Sequence, residues 1–161
     1  MREPKLDVID RRILQILQRD AKVSNVDLAK RVHLSPTPCL ERVRRLEESG
    51  YVMGYVARLN AEKLNFGLLA FIELSLDRTD PEAFDALRKQ VTEMPNVQEC
   101  HMIAGGFDYL LKVRVADMTA YRRFLGERVA TLPGVSRTHT YFVMEEIKGT
   151  LELPIAAGKV R

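Results

Sequence analysis

Three features of the sequence predict an α+β protein built in two parts. Three amphipathic helical segments precede Gly50, the rhythm then changes to strands and helices in the order β-α-β-β-α-β, and positive charge gathers in the first part. Of the 25 Lys+Arg and 22 Asp+Glu in the 161 residues, 13 and 9 precede residue 66, which leaves 12 and 13 for the rest. A mild positive bias confined to one part fits a phosphate-binding face, although by itself it says little.

The first helical segment, residues 6–17, repeats Leu6, Ile9, Ile13, Leu14, Ile16 and Leu17 at helical spacing, with Asp7, Asp10, Arg11, Arg12 and Gln15 mostly opposite. Residues 20–24 break it, and Ser24 or Asn25 caps a short second helix carrying Val26, Leu28, Ala29 and Val32. Ser35-Pro36-Thr37-Pro38 is a helix start, because proline's missing N–H has no intrahelical partner in a first turn. The third helix is expected to place Leu40, Val43 and Leu46 on its inward stripe and to end at Ser49-Gly50. Residues 51–59 alternate loosely around Gly54 and read as a short hairpin or wing leading into a linker strand.

In the second part, strands are expected over 68–76, 97–104, 107–115 and 135–147, with Gly105-Gly106 as the turn between the middle two. Helices are expected over 81–94, with Phe84, Leu87 and Val91 inward, and over 118–132, with Tyr121, Phe124, Leu125 and Val129 inward. This order folds as a four-stranded antiparallel sheet with both helices on one face, the ferredoxin-like arrangement. Its other face is left bare. Residues 69–74 are apolar on both faces, so a second copy of the same sheet is the simplest cover and a symmetric dimer is expected. The domains are then 1–54, a winged helix-turn-helix; 55–67, a linker strand; and 68–161, a ferredoxin-like domain with a C-terminal tail.

Several function classes find no support. No run approaches the roughly 20 apolar residues of a membrane helix, and the first ten residues are too charged for a signal peptide, so the chain is expected in the cytoplasm. Cys39 and Cys100 lack disulfide or zinc spacing and are expected as reduced thiols packed as small apolar groups. His33, His101 and His139 are scattered, so no metal or other cofactor is expected. No nucleophile sits beside a plausible base and no phosphate loop appears, which argues against an enzyme.

Helix, tight turn and helix after a supporting helix is the trihelical DNA-reading unit, against which stands a plain bundle with a charged solvated face. To read double-stranded DNA, the start of the third helix must enter the major groove with small polar groups near base edges and cations toward phosphates. Ser35 and Thr37 offer hydroxyls, Arg42, Arg44 and Arg45 offer charge, and Thr37 and Cys39 are candidates for thymine methyl contacts. Asn25 and Pro38 complete the expected DNA-binding set.

The same residues carry a resemblance. Residues 10–14, 24–32 and above all the run 34–47 around Ser35-Pro36-Thr37-Pro38-Cys39 resemble the Lrp/AsnC family of feast/famine regulators, as do 99–101, 107–111, 132–135 and 141–148. The likeness covers nearly the whole chain. It implies a transcription regulator with a winged helix-turn-helix, a ferredoxin-like ligand domain, dimers that assemble into octamers, and an amino-acid effector bound between dimers, with leucine or methionine the first candidates. The alternative is an architectural DNA-binding protein that answers to no effector.

By the same resemblance, Met102, Gly105, Gly106, Asp108, Met118, Tyr141, Phe142 and Val143 correspond to the effector-response region. The family usually reads Gly-Asp-x-Asp-Tyr at the turn. This chain reads Gly105-Gly106-Phe107-Asp108-Tyr109, so one acid is missing and Asp108 remains. An amino-acid ligand needs an anion for its ammonium and N–H donors for its carboxylate, which Asp108 and the glycine turn can supply. The competing reading is an ordinary tight turn steadied by its own acid. The glycines are no dinucleotide fingerprint, since G-x-G-x-x-G is missing and no helix follows.

Overall fold

The first two helices of the first part start where a short polar side chain supplies the partner that first-turn N–H groups lack, and the third starts on proline, which has no N–H to satisfy. The computed structural model describes residues 6–78 and 80–156. The chain divides into two compact units, Met1–Arg58 with Lys148–Arg161, and Leu59–Ile147. Residues 1–5 of the expected DNA-binding domain and 157–161 of the expected tail lie outside the described residues.

In the first unit, α1 (Val8–Leu17) opens with a reciprocal capping box between Asp7 and Asp10. Helix α2 (Asn25–Arg31) is capped by Ser24, whose hydroxyl accepts from the Asp27 N–H. Helix α3 (Pro36–Glu48) starts at Ser35 with proline in its first turn. Ile13, Leu14, Leu17, Leu28, Ala29, Val32, Cys39 and Leu46 form the core. Here the expected stripe of α3 is corrected: Cys39 is fully buried, whereas Leu40 is 38% exposed. Cys39, Val43 and Leu46, spaced i, i+4, i+7, face inward instead. A one-residue step rotates the outlook of a helix by about 100°, so this choice resets every side chain around it.

Helix α3 ends in the left-handed Gly50 (φ 72°), beyond which the N–H groups of Tyr51 and Val52 donate back to the Leu46 carbonyl. The hairpin or wing expected over 51–59 and the linker strand expected over 55–67 are not formed. A strand needs a ladder partner, and among the described residues none pairs with 51–59. Residues 61–65 are wound into a turn instead, with Phe66 N–H donating to the Ala61 carbonyl and Asn65 left-handed at φ 61°. The tail brings a second correction: expected at the end of the second domain, its described residues 148–156 group with the first unit, with Ile155 against that unit's core.

In the second unit, β1 (Leu68–Leu76), β2 (Val97–Met102), β3 (Tyr109–Val115) and β4 (Val135–Phe142) form one antiparallel sheet in the order β2-β3-β1-β4. Helix α4 (Pro81–Thr92) and helix α5 (Met118–Phe124) cover one face, and α5 runs on through a π-helical turn, Leu125–Val129, closed by Ala130 N–H to the Leu125 carbonyl. Alternate residues Ala70, Ile72 and Leu74 of β1 and Tyr109, Leu111, Val113 and Val115 of β3 enter the core with Leu87, Val91, Tyr121, Phe124 and Val129. The first strand has its expected length and the other three are shorter than expected. Beyond Met102 and before Tyr109 the chain is a six-residue loop closed by Ile103 N–H to the Asp108 carbonyl, and β4 stops at Phe142.

Candidate nucleic-acid interface and effector region

The α1–α3 junction is built on one buried carboxylate. The Asp10 side chain is only 3% exposed and takes Arg42 Nη1 at 2.8 Å and Arg45 Nη2 at 2.7 Å, while Arg42 also reaches Asp7 at 2.6 Å. Partial burial pulls the Asp7 carboxyl upward, but the Asp10 backbone N–H and the Arg42 guanidinium outweigh it and hold it below the usual carboxylate range. Two arginines expected to serve phosphates thus neutralise the Asp7 and Asp10 carboxylates, because a buried carboxylate needs paired cations. Arg45 remains 49% exposed at its side chain, Arg42 only 26%.

Cys39 is corrected as well. Its thiol lies in the core, where burial raises its pKa, so it cannot meet a thymine methyl; the packed-thiol expectation describes it and the groove contact does not. Cys100, expected as packed, is exposed on β2. Asn25 is a staple between helices, its Nδ2 donating to the Pro36 carbonyl at 2.8 Å, and Pro38 is half-buried. What α3 leaves open is narrower than expected. Ser35, whose hydroxyl makes no capping bond, and Thr37, Leu40, Glu41 and Arg44 are exposed, the last four at i, i+3, i+4 and i+7 on one face. Leu40 and Glu41 were not among the expected site residues; their spacing from Thr37 is the signal that finds them.

The expected effector residues fall into two groups. Tyr141 and Phe142 pair with Phe71 and Ala70, Val143 N–H donates to the Leu69 carbonyl, and Met118 follows β3 at that same end of the sheet. Met102, Gly105, Gly106 and Asp108 lie at the other end, where Asp108 meets Leu74 and Leu76. From Phe71 to Leu76 is about 17 Å at the usual strand rise. One chain therefore does not bring these residues to one pocket; a site using both groups needs more than one copy.

Asp108 secures the end of β1. Its Oδ2 accepts the Leu76 N–H at 2.7 Å and its own N–H donates to the Leu74 carbonyl at 2.9 Å, where β1 bulges. Neither Gly105 nor Gly106 is left-handed, and a Cβ on Gly106 would meet nothing within 4 Å. The backbone there does not demand glycine. The missing side chains instead leave its N–H groups open to approach.

On the open sheet face, Phe71, Leu110 and Tyr141 lie among Glu73, Glu99, His101, Lys112, Arg137 and His139. Lys112 Nζ, 2.9 Å from Glu99, and His101 hold that carboxyl below its ordinary range. Tyr121, on the helix side, stacks edge-on with Phe142 and hydrogen-bonds Thr140, which fixes the outer end of β4.

Comparison with known proteins finds two families along the chain. Residues 6–53 match the model of a winged helix-turn-helix DNA-binding family, and residues 69–153 match the Lrp/AsnC ligand binding domain. The leucine-responsive regulatory proteins of Escherichia coli K12 and Klebsiella pneumoniae are each 55% identical over 150 residues, covering 93% of this chain and 92% of theirs. Among solved structures, a transcriptional regulator of Neisseria meningitidis in complex with L-methionine superposes with a TM-score of 0.89 at 40% identity, over 93% of this chain and 97% of that one. An AsnC family transcriptional regulator from Agrobacterium tumefaciens gives 0.88 at 38% identity over 92% and 97%.

Proposed function

The chain belongs to the Lrp/AsnC family of transcription regulators, and on that premise we propose that it reads double-stranded DNA with α3 and adjusts that binding to a small amino acid, leucine or methionine. The exposed α3 face carries the reading. Ser35 and Thr37 lie near base edges, Arg44 meets a phosphate, and Glu41 accepts from a cytosine amine, a contact open to an acid in the major groove. Arg45 assists from its exposed edge.

The effector reading is supported by the family membership and by the relatives named for leucine response or solved with methionine. The ligand sits where the Gly105-Asp108 loop of one copy meets the Tyr141–Val143 end of another. Such a site can bias assembly, because a ligand shifts an equilibrium only through different affinity for its two states. The chain dimerises through its open sheet face, and dimers assemble further, toward octamers. It acts in the cytoplasm, by binding and not by catalysis; no described helix is long and apolar enough to cross a membrane.

A mobility-shift titration on the DNA upstream of its own gene, repeated with each common amino acid, tests this. Leucine or methionine is expected to change the midpoint by severalfold. A midpoint unmoved by every amino acid would leave an architectural DNA-binding protein, and no shift of any DNA would remove the reading.

A further inference from the structure

The polar edge of α1 grips the chain's own C-terminal segment. Gln18 makes a two-point clamp on one residue's backbone, its Nε2 donating to the Leu153 carbonyl at 3.1 Å and its Oε1 accepting the Leu153 N–H at 3.0 Å. Gln15 Nε2 donates to the Ile155 carbonyl at 2.8 Å, and Arg19 pairs with Glu152 at 3.0 Å. Gln15 lies on the last turn of α1, Gln18 caps it and Arg19 follows, so the three line the C-terminal end of the helix. A glutamine amide offers one donor and one acceptor, as an adjacent strand would, and so recognises backbone. Selectivity comes from Glu152 and from Ile155, which alone of the segment packs against the core. Pro154 fixes its own φ, and Ile155 N–H turns back to the Leu153 carbonyl at 2.8 Å, which aims the isoleucine inward.

The rest of the segment is held lightly. Leu151 and Leu153 keep 85% and 69% of their surface exposed, and the bonds to Gln18 are reachable by water. Such a contact opens and closes far more readily than a buried core. Its position in the chain is what gives it consequence. In sequence, only residues 143–147 separate the end of β4 from the segment that groups with the first unit.

We infer that residues 150–155 are a releasable strap on α1, through which a change at the end of β4 reaches the DNA-reading unit. Docked, the strap holds α1, and α1 holds α3 through Asp10 with Arg42 and Arg45. The inference rests on the reading of Tyr141–Val143 as effector-responsive. A ligand that favours one position of that strand end favours the docked or the released strap, and α3 presentation changes with it.

Hydrogen exchange of the α1 amides and DNA titrations with and without leucine and methionine test this in the full chain, in Gln18→Ala, in Ile155→Ser and in a chain ended after Gly149. In the three variants α1 is expected to exchange about tenfold faster than in the full chain, which is a modest local opening, while DNA is still bound and the amino-acid effect shrinks severalfold. Unchanged α1 exchange in all three would overturn the strap. Faster exchange with an undiminished amino-acid effect would overturn its coupling role. If no amino acid alters DNA binding by the intact chain, the effector reading and the coupling fall together, while the exchange result still judges the contact on α1.

Discussion

Arg44 and Arg45 are neighbours with the same side chain, yet one points into open solvent and the other ends on Asp10. Arg44→Ala should weaken binding to every DNA sequence and lower the salt slope by about one, with an unchanged melting point. Arg45→Ala should instead lower the melting point, and Asp10→Asn should destabilise the protein by about 1–3 kcal/mol, a value kept modest because both arginines can rehydrate. Thermal melts beside mobility shifts at several salt concentrations separate the two roles. Equal loss of affinity at equal stability would refute the division. Asp7 adds a pH dependence. Its folded pKa is lowered, so its contribution is present above the unfolded carboxylate range and disappears as pH falls through the folded value. Urea midpoints of the parent and Asp7→Asn should therefore converge on acidification from pH 6 toward pH 3. Asp108 separates charge from shape: Asp108→Asn keeps an oxygen for the Leu76 N–H and loses the anion. Calorimetry should show amino-acid binding weakened by about tenfold or more at an unchanged melting point, the loss expected when a charge-assisted bond becomes neutral.

At the scale of elements, the orientation of α3 follows from which of Cys39 and Leu40 it buries. A thiol reagent should label Cys39 only after unfolding, since it is fully buried and burial disfavours the reactive thiolate. Rapid labelling in the native protein would mean that the helix is turned otherwise and that Thr37, Glu41 and Arg44 do not share the open face. The same helix shows how far pattern reading reaches. Its start at Ser35-Pro36, its end at Gly50 and its amphipathic character are legible in the sequence, because caps and periodicity involve residues a few positions apart. Which of two adjacent apolar residues faces α1 is not.

For the whole molecule, the open sheet face carries a small apolar centre, Phe71, Leu110 and Tyr141, ringed by charges of both signs. Such a patch suits a two-fold partner, since a self-complementary face can pair acid with base across the axis. Phe71→Asp should shift the proposed dimer toward monomer in light scattering at micromolar concentration and weaken DNA binding by removing the second reading head. Paired heads place half-sites on one side of the duplex at multiples of about 10 base pairs. A stable dimer in the variant would put the interface elsewhere.

By itself the sequence determined the kinds and order of the elements: three helices and then β-α-β-β-α-β, with Leu87, Val91, Tyr121, Phe124 and Val129 inside as their periodicity requires. The family resemblance followed from the run around Ser35-Pro36-Thr37-Pro38-Cys39. Only the tertiary structure decided that Arg42 and Arg45 serve Asp10, that Asp108 serves the backbone of β1, that the expected effector residues lie at two ends of one sheet, and that the tail returns to α1. The reason is the reach of the forces. Helix caps and periodic burial join residues three or four apart, whereas Arg42 meets Asp10 across 32 residues and Gln18 meets Leu153 across 135. A buried carboxylate will take whichever cation the packed chain brings to it, and local spacing does not say which one arrives.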